Sequence, residues 1–250
     1  MIASLPMYAT PQTALANARF WGRIRDALRD SGVAAPGQLT LTPGDLMPHW
    51  RDPRLVLSQT CGLPLRAALW DDVTLIGTPD YGLSDNPAGY YHSVIIARAD
   101  DTRTQLLTYA KARFAFNEPM SQSGWGAVAV EAPHILNGPL TRTGSHRASM
   151  MAVRAGLADF AAIDAVTWRL FTAAGEGMDC QVVHRTKPTP GLPFITAKTQ
   201  DAALIFNAIK HAIGGMSDDD RSILGLRDII AIPRAAYDLP PPPKPENFLG

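Results

Sequence analysis

Ser121, Gln122 and Ser123 place three hydrogen-bonding side chains in a row, directly before the Gly124 that opens GWGAVAVEA. If that run is a helix, its first turn presents backbone N–H groups that lack an intrahelical acceptor, together with the positive end of the helix dipole. Two hydroxyls and an amide at such a place suit the capture of an anion. His146 follows Ser145 at the start of a second helical run, HRASMMAVRAGLAD, and Asp164 ends the apolar run DFAAI. An imidazole brings a further polar contact. A carboxylate accepts protons only, so it repels a fully deprotonated oxyanion and pairs with one that keeps a proton. The combination favours a monoprotonated tetrahedral species such as phosphate, phosphite or a phosphonate, and disfavours sulfate.

Three further positions have the right chemistry at strand ends: Tyr8, the pair Gln59 and Thr60, and Tyr90 or Tyr91, of which Tyr91 is taken as the ligand-facing one. Each candidate also has a purely structural reading. Tyr8 reads equally as a half-buried aromatic, Gln59 and Thr60 as caps of the following turn, and the two tyrosines as hinge packing. Ser121 to Ser123 would N-cap a helix without any ligand. Asp164 would cap the helix after it, and a lone His146 would be a core histidine.

The elements that must position these residues alternate between strand and helix. Ile2 to Leu5 reads as a buried strand. Thr10-Pro11 reads as a helix start, with Leu15, Ala18, Trp21, Ile24 and Leu28 at helical spacing as far as Gly32. Strands are expected at 38–41, 54–58, 73–77, 93–97, 114–116, 159–163, 180–184 and 194–197. Helices are expected at 43–50, weakly at 101–111, from Gly124, at 146–158 with Ala148, Met151, Val153 and Leu157 inward, after Asp164, and at 200–213. Such alternation implies an α/β fold, in which ligands collect beyond the carboxyl ends of the strands. The turn-rich stretch TPDYGLSDNPAG at 78–89 marks a domain crossing. The tail 239–250, with its PPPPKP favouring polyproline II, is expected to be a peripheral or partly disordered extension.

Composition narrows the class. At 250 residues and 46% apolar the chain can bury a large core, and 23 basic residues balance 23 acidic ones, so no global field draws in nucleic acid or acidic membrane. Cys61 and Cys180 lack metal-ligand spacing and are too few for a disulfide framework. No metal and no cofactor is expected. The N-terminal MIASLPMYATPQ lacks the features of an export signal, and no run approaches the ~20 apolar residues of a membrane span. Read as it stands, the chain is expected in the cytoplasm without membrane insertion, or in the periplasm if its start has been trimmed.

The runs FAFNEPMSQSGW and GSHRASMMAVRAGLADFAAID together resemble the phosphate/phosphite/phosphonate substrate-binding proteins of ABC transporters, which have the type 2 periplasmic binding-protein fold. The resemblance is good over 90–197 and looser over 1–89, where SLPMY and LSQTCG fit strand ends. It implies two α/β lobes, each a mixed sheet flanked by helices, with a cleft between them. Lobe one would be 1–89 plus 186–250 and lobe two 90–185. It also implies that Ser121, Gln122 and Ser123 form the oxyanion corner, that His146 is the helix-start histidine and Asp164 the carboxylate, and that Tyr8 and Tyr90 or Tyr91 are aromatic contacts. Gln122 departs from the Ser or Thr usual at its place. The implied function is capture of a phosphorus oxyanion by hinge closure, without catalysis, by a monomer that an ABC permease reads. The rivals are a cytosolic enzyme on the same fold, similar to chorismate dehydratases or thiamine-pyrimidine synthases, a ligand-sensing module, and a Ser-His-Asp hydrolase. The last lacks a G-x-S-x-G elbow.

Overall fold

Runs such as RLVLS and FAAID are apolar on both faces, so each has to be covered on both sides by helices or loops. In the computed structural model, which describes residues 1–248, this produces two units. The first comprises Met1–Tyr90 and Pro190–Asp238, the second Tyr91–Thr189 and the chain from Leu239.

The first unit has a five-stranded mixed sheet in the order Ile2–Ala3, Leu55–Gln59, Phe194–Ala197, Val73–Asp80, Asp228–Ile230. The first two strands are parallel, Phe194–Ala197 runs antiparallel to both its neighbours, and Asp228–Ile230 is antiparallel to Val73–Asp80. The helices Ala14–Asp30 and Ala202–Gly214 supply Phe20, Trp21, Ile24, Leu28, Ile205, Ile209 and Ile213 to one core cluster. Trp50, Leu65, Leu69 and Tyr237 form another, with Leu55 and Ile195 of the sheet. Burying one such aliphatic or aromatic side chain contributes about 1.5–3 kcal/mol.

The second unit has a five-stranded mixed sheet in the order Leu140–Arg142, Phe114–Phe116, Phe160–Asp164, Ser93–Arg98, Cys180–Arg185. Phe114–Phe116 is parallel to both its neighbours, so the ends of Phe114–Phe116 and Phe160–Asp164 point the same way. Ser93–Arg98 runs antiparallel to the strands on each side of it. The core is aromatic. Phe114 stacks on Phe160 at 4.8 Å between ring centres, and Phe116 packs on Trp125 at 5.0 Å. Such pairs add about 0.5–1.5 kcal/mol beyond their buried area.

Several expectations are corrected by packing. The first helix starts at Ala14 rather than after Thr10, because Thr10 and Thr13 bond to each other in a preceding turn, and Leu15 is exposed where an inward face was expected. In His146–Arg154 the buried positions are Ser149, Met150 and Val153; Val153 faces inward as expected, but Met151 and, beyond the helix, Leu157 are exposed. The expected strand at 38–41 is irregular, tied to the sheet edge by Thr40 N–H donating to the Ala3 carbonyl. Only Leu106–Tyr109 of the weak helix forms, as a 3₁₀ turn. The tail is no peripheral appendage of the first unit. Trp125 donates its indole N–H to the Pro243 carbonyl at 2.7 Å, and Phe248 packs edge-on against Trp125, so residues 239–248 belong with the second unit. The helix Asp218–Leu224 and the strands Leu140–Arg142 and Asp228–Ile230 were not anticipated. No helix among the described residues is long and apolar enough to cross a membrane.

Candidate functional site

The strand Phe114–Phe116 stops at Asn117, and the chain turns through Glu118-Pro119-Met120 into a helix that begins earlier than the expected Gly124. Ser121 is its N-cap, with backbone in the extended region and its hydroxyl accepting the Gly124 N–H at 3.0 Å. Gln122–Gly126 is a wide π turn, closed by Gly126 N–H donating to the Ser121 carbonyl and Ala127 N–H donating to that of Gln122, and Ala127–Glu131 continues as α-helix. Insertions of π turns into helices concentrate at functional sites. A Cβ at Gly124 would fall 1.8 Å from the Asn117 side-chain oxygen, so any larger residue there would push the Asn117 side chain aside.

Ser123 and His146, 23 residues apart, meet here: Ser123 Oγ lies 2.9 Å from His146 Nε2. Ser145 delivers the histidine by capping its helix, its hydroxyl accepting the Ala148 N–H. Burial pushes the His146 imidazole down to about 4, against a small opposing effect of the Ala162 carbonyl, so the ring is neutral at pH 7. Its Nδ1 is buried and makes no hydrogen bond among the described residues, so that carbonyl acts on the ring without reaching bonding geometry. Asn117 Oδ1 is a second buried acceptor without a hydrogen bond. Nothing had singled out Asn117 as a contact, although it opens the N-x-x-x-S-x-S-G run.

Asp164, 2% exposed, ends the strand beside Phe114–Phe116. Its Oδ1 accepts from Val166 N–H at 2.8 Å and Thr167 N–H at 2.9 Å, so it is the cap of Ala165–Ala173, the structural role weighed for it. Tyr91 is 3% exposed and sits in the two-stranded ribbon of Tyr90–Tyr91 with Thr189–Pro190.

The first unit's candidates are bound up in its own framework. Gln59 Nε2 donates to Tyr81 Oη at 3.2 Å and to the Leu192 carbonyl at 3.0 Å. Gln59 and Tyr81 border a cavity of ≈20 Å³, room for about one water. Tyr8 packs edge-on against Tyr81 at 4.8 Å, and Thr60 Oγ1 donates to the Cys61 carbonyl at 3.3 Å. A larger recess of ≈440 Å³ in the second unit lies at the opposite end of its sheet from Asp164. Its arginines Arg98, Arg103 and Arg113 are paired with Asp100, Asp101 and Asp159, and Tyr109 lies under Arg103, so it offers an anion no unspent cation.

A family model described as "ABC transporter, phosphonate, periplasmic substrate-binding protein" matches residues 65–235. No curated protein matches. Among solved structures, PhnD1 from Prochlorococcus marinus in complex with methylphosphonate superposes with a TM-score of 0.68 at 15% identity, over 95% of this chain and 94% of that one. XAC2383 from Xanthomonas citri bound to ATP gives 0.67 at 14% identity, over 99% and 94%. A binding-protein component of an ABC phosphonate transporter from Pseudomonas aeruginosa gives 0.66 at 14% identity, over 95% and 82%. At these identities the likeness is one of fold, the two-lobed periplasmic binding-protein fold expected from the sequence.

Proposed function

The chain belongs to the phosphonate-binding family of periplasmic substrate-binding proteins of ABC transporters, and from that premise we propose that it captures a phosphorus oxyanion at the corner formed by Ser121, Gln122, Ser123 and His146. The observation that carries this is the Ser123–His146 contact at the first turn of a helix. A neutral imidazole has two tautomers. With its proton on Nε2 it donates to Ser123 Oγ, and the hydroxyl proton then points outward to a ligand oxygen. With the proton on Nδ1, Ser123 donates to the ring and presents lone pairs outward. The Ala162 carbonyl beside the ring favours the second arrangement in the free protein, and an anion at the corner shifts the balance to the first, where it meets a line of donors backed by the helix dipole.

The Asp164 carboxylate supplies the negative wall that makes a retained ligand proton favourable and sulfate unfavourable. Tyr8, Gln59, Thr60 and Tyr91 are kept as proposed ligand contacts of lesser weight, since Gln59 and Thr60 already bond within their own unit. Methylphosphonate and ATP, bound by two relatives of this fold, share the tetrahedral phosphorus oxyanion. Family membership supports a transport component acting in the periplasm with a permease as its reader, and supports binding rather than catalysis. A thermal-shift panel tests this. Methylphosphonate, phosphite or phosphate at a hundredfold excess over Kd stabilises a folded binder by about 2.7 kcal/mol, and sulfate should do nothing. No shift with any phosphorus oxyanion rejects the proposal.

A further inference from the structure

Four consecutive prolines at 240–243 confine the chain after Leu239 to an extended conformation with its carbonyls outward, a form that aromatic side chains recognise readily. One such carbonyl, that of Pro243, accepts the Trp125 indole N–H at 2.7 Å. Phe248 then lies edge-on to the same indole at 5.6 Å, and Pro245 is buried. Pro242 reaches the neighbouring residue, its Cγ 3.6 Å from where a Cβ on Gly126 would stand. Trp125 is fully buried.

Trp125 and Gly126 are the last two residues of the π turn Gln122–Gly126, whose first two residues are the candidate anion contacts. A π turn is rarer and less favourable than an α turn and persists when surrounding contacts hold it. Relaxation to α geometry would rotate Ser121, Gln122 and Ser123 relative to the rest of the helix and aim their donors elsewhere. We infer that the C-terminal polyproline segment is a strap that holds the anion corner in its binding geometry, with Trp125 as the positioning residue. The inference rests on the proposed anion site for its ligand readout but not for its structural one.

The test uses the full chain with a protease site inserted between Asp238 and Leu239. After cleavage the strap is removed, and a synthetic peptide of residues 239–250 is then added back. Two quantities are read: methylphosphonate affinity by calorimetry and the backbone amide resonances of 121–126. Removal should weaken affinity by about tenfold, the worth of a hydrogen bond or so to a charged ligand. It should also shift those amides, and the peptide should restore both. If the Trp125 indole N–H exchanges freely after removal while affinity and amides stay put, the inference is overturned. Should the cut chain unfold, Phe248→Ala in the uncut chain replaces it. Weaker binding and moved 121–126 amides at an unchanged melting temperature support the strap, and no movement of either refutes it. If the intact protein binds no methylphosphonate, the proposed function fails, and the amide resonances alone decide the strap.

Discussion

Each unit contains a serine bonded to a histidine, and the two pairs differ in what surrounds them. In the first unit Ser4 Oγ lies 2.7 Å from His49 Nε2 and 2.8 Å from Ser58 Oγ. Both serines are fully buried and His49 is 8% exposed, so the three groups satisfy one another inside the core. In the second unit Ser123 meets a half-buried His146 at 2.9 Å, at the start of a helix. The same pair of side chains is thus a structural rivet in one place and a candidate ligand contact in the other. The contact distance does not separate them. What does is the setting of the hydroxyl: Ser4 is closed in by two partners in the core, whereas Ser123, itself only 4% exposed, meets His146 in the first turn of a helix.

The comparison breaks most visibly at His49. His49→Ala leaves Ser4 and Ser58 buried with a lost partner and a cavity, and should lower unfolding free energy by about 3 kcal/mol in a denaturant titration while changing methylphosphonate affinity less than about twofold. A large loss of affinity would mean that the first pair is not merely structural.

Acid should affect both pairs in the same sense, because burial lowers the pKa of each histidine. With its folded pKa at about 4, below the unfolded value near 6.5, His146 contributes stability that is present above pH 6.5 and lost as pH falls toward 4. Allowing for its partial exposure, that amounts to about 2 kcal/mol. Denaturation midpoints at pH 7 and pH 4 measure it, and His146→Ala should flatten the dependence in part, leaving the share due to His49.

Ser123→Ala sharpens the contrast from the other side: methylphosphonate affinity should fall about tenfold, roughly 1.4 kcal/mol, at nearly unchanged stability. Smaller still, Asp164→Ala should cost about 1 kcal/mol of stability through the lost cap, whereas Asp164→Asn, an equally good cap, should leave stability alone and reduce the discrimination against sulfate. Melting curves and calorimetric titrations of the two variants decide between cap and ligand wall.

The second unit was the more legible in sequence because its chemistry is local. Ser121, Gln122 and Ser123 are neighbours in the chain, and the strand and helix around them follow from apolar runs and a glycine. The π turn was not legible, since period and propensity place a helix without fixing whether its first turn bonds to i−4 or i−5. The Trp125–Pro243 bond joins residues 118 apart, and a polyproline run reveals its own conformation but not the face it lies on. In the first unit, the strand-end positions of Gln59 and Tyr8 are legible in the sequence, but what else their side chains touch is not. Their engagement with Tyr81 and Leu192 depends on long-range packing. Likewise Leu15, Met151 and Leu157 were assigned inward by spacing, and the phase of a helix face is set by what it packs against.

The most direct test of the anion corner is a calorimetric titration of methylphosphonate into the wild type and His146→Ala, with melting temperatures recorded at pH 7. A wild type that binds, and a variant that remains folded at the titration temperature but binds at least about tenfold more weakly, is the outcome that the Ser123–His146 site predicts. Equal affinity in the two proteins would contradict it.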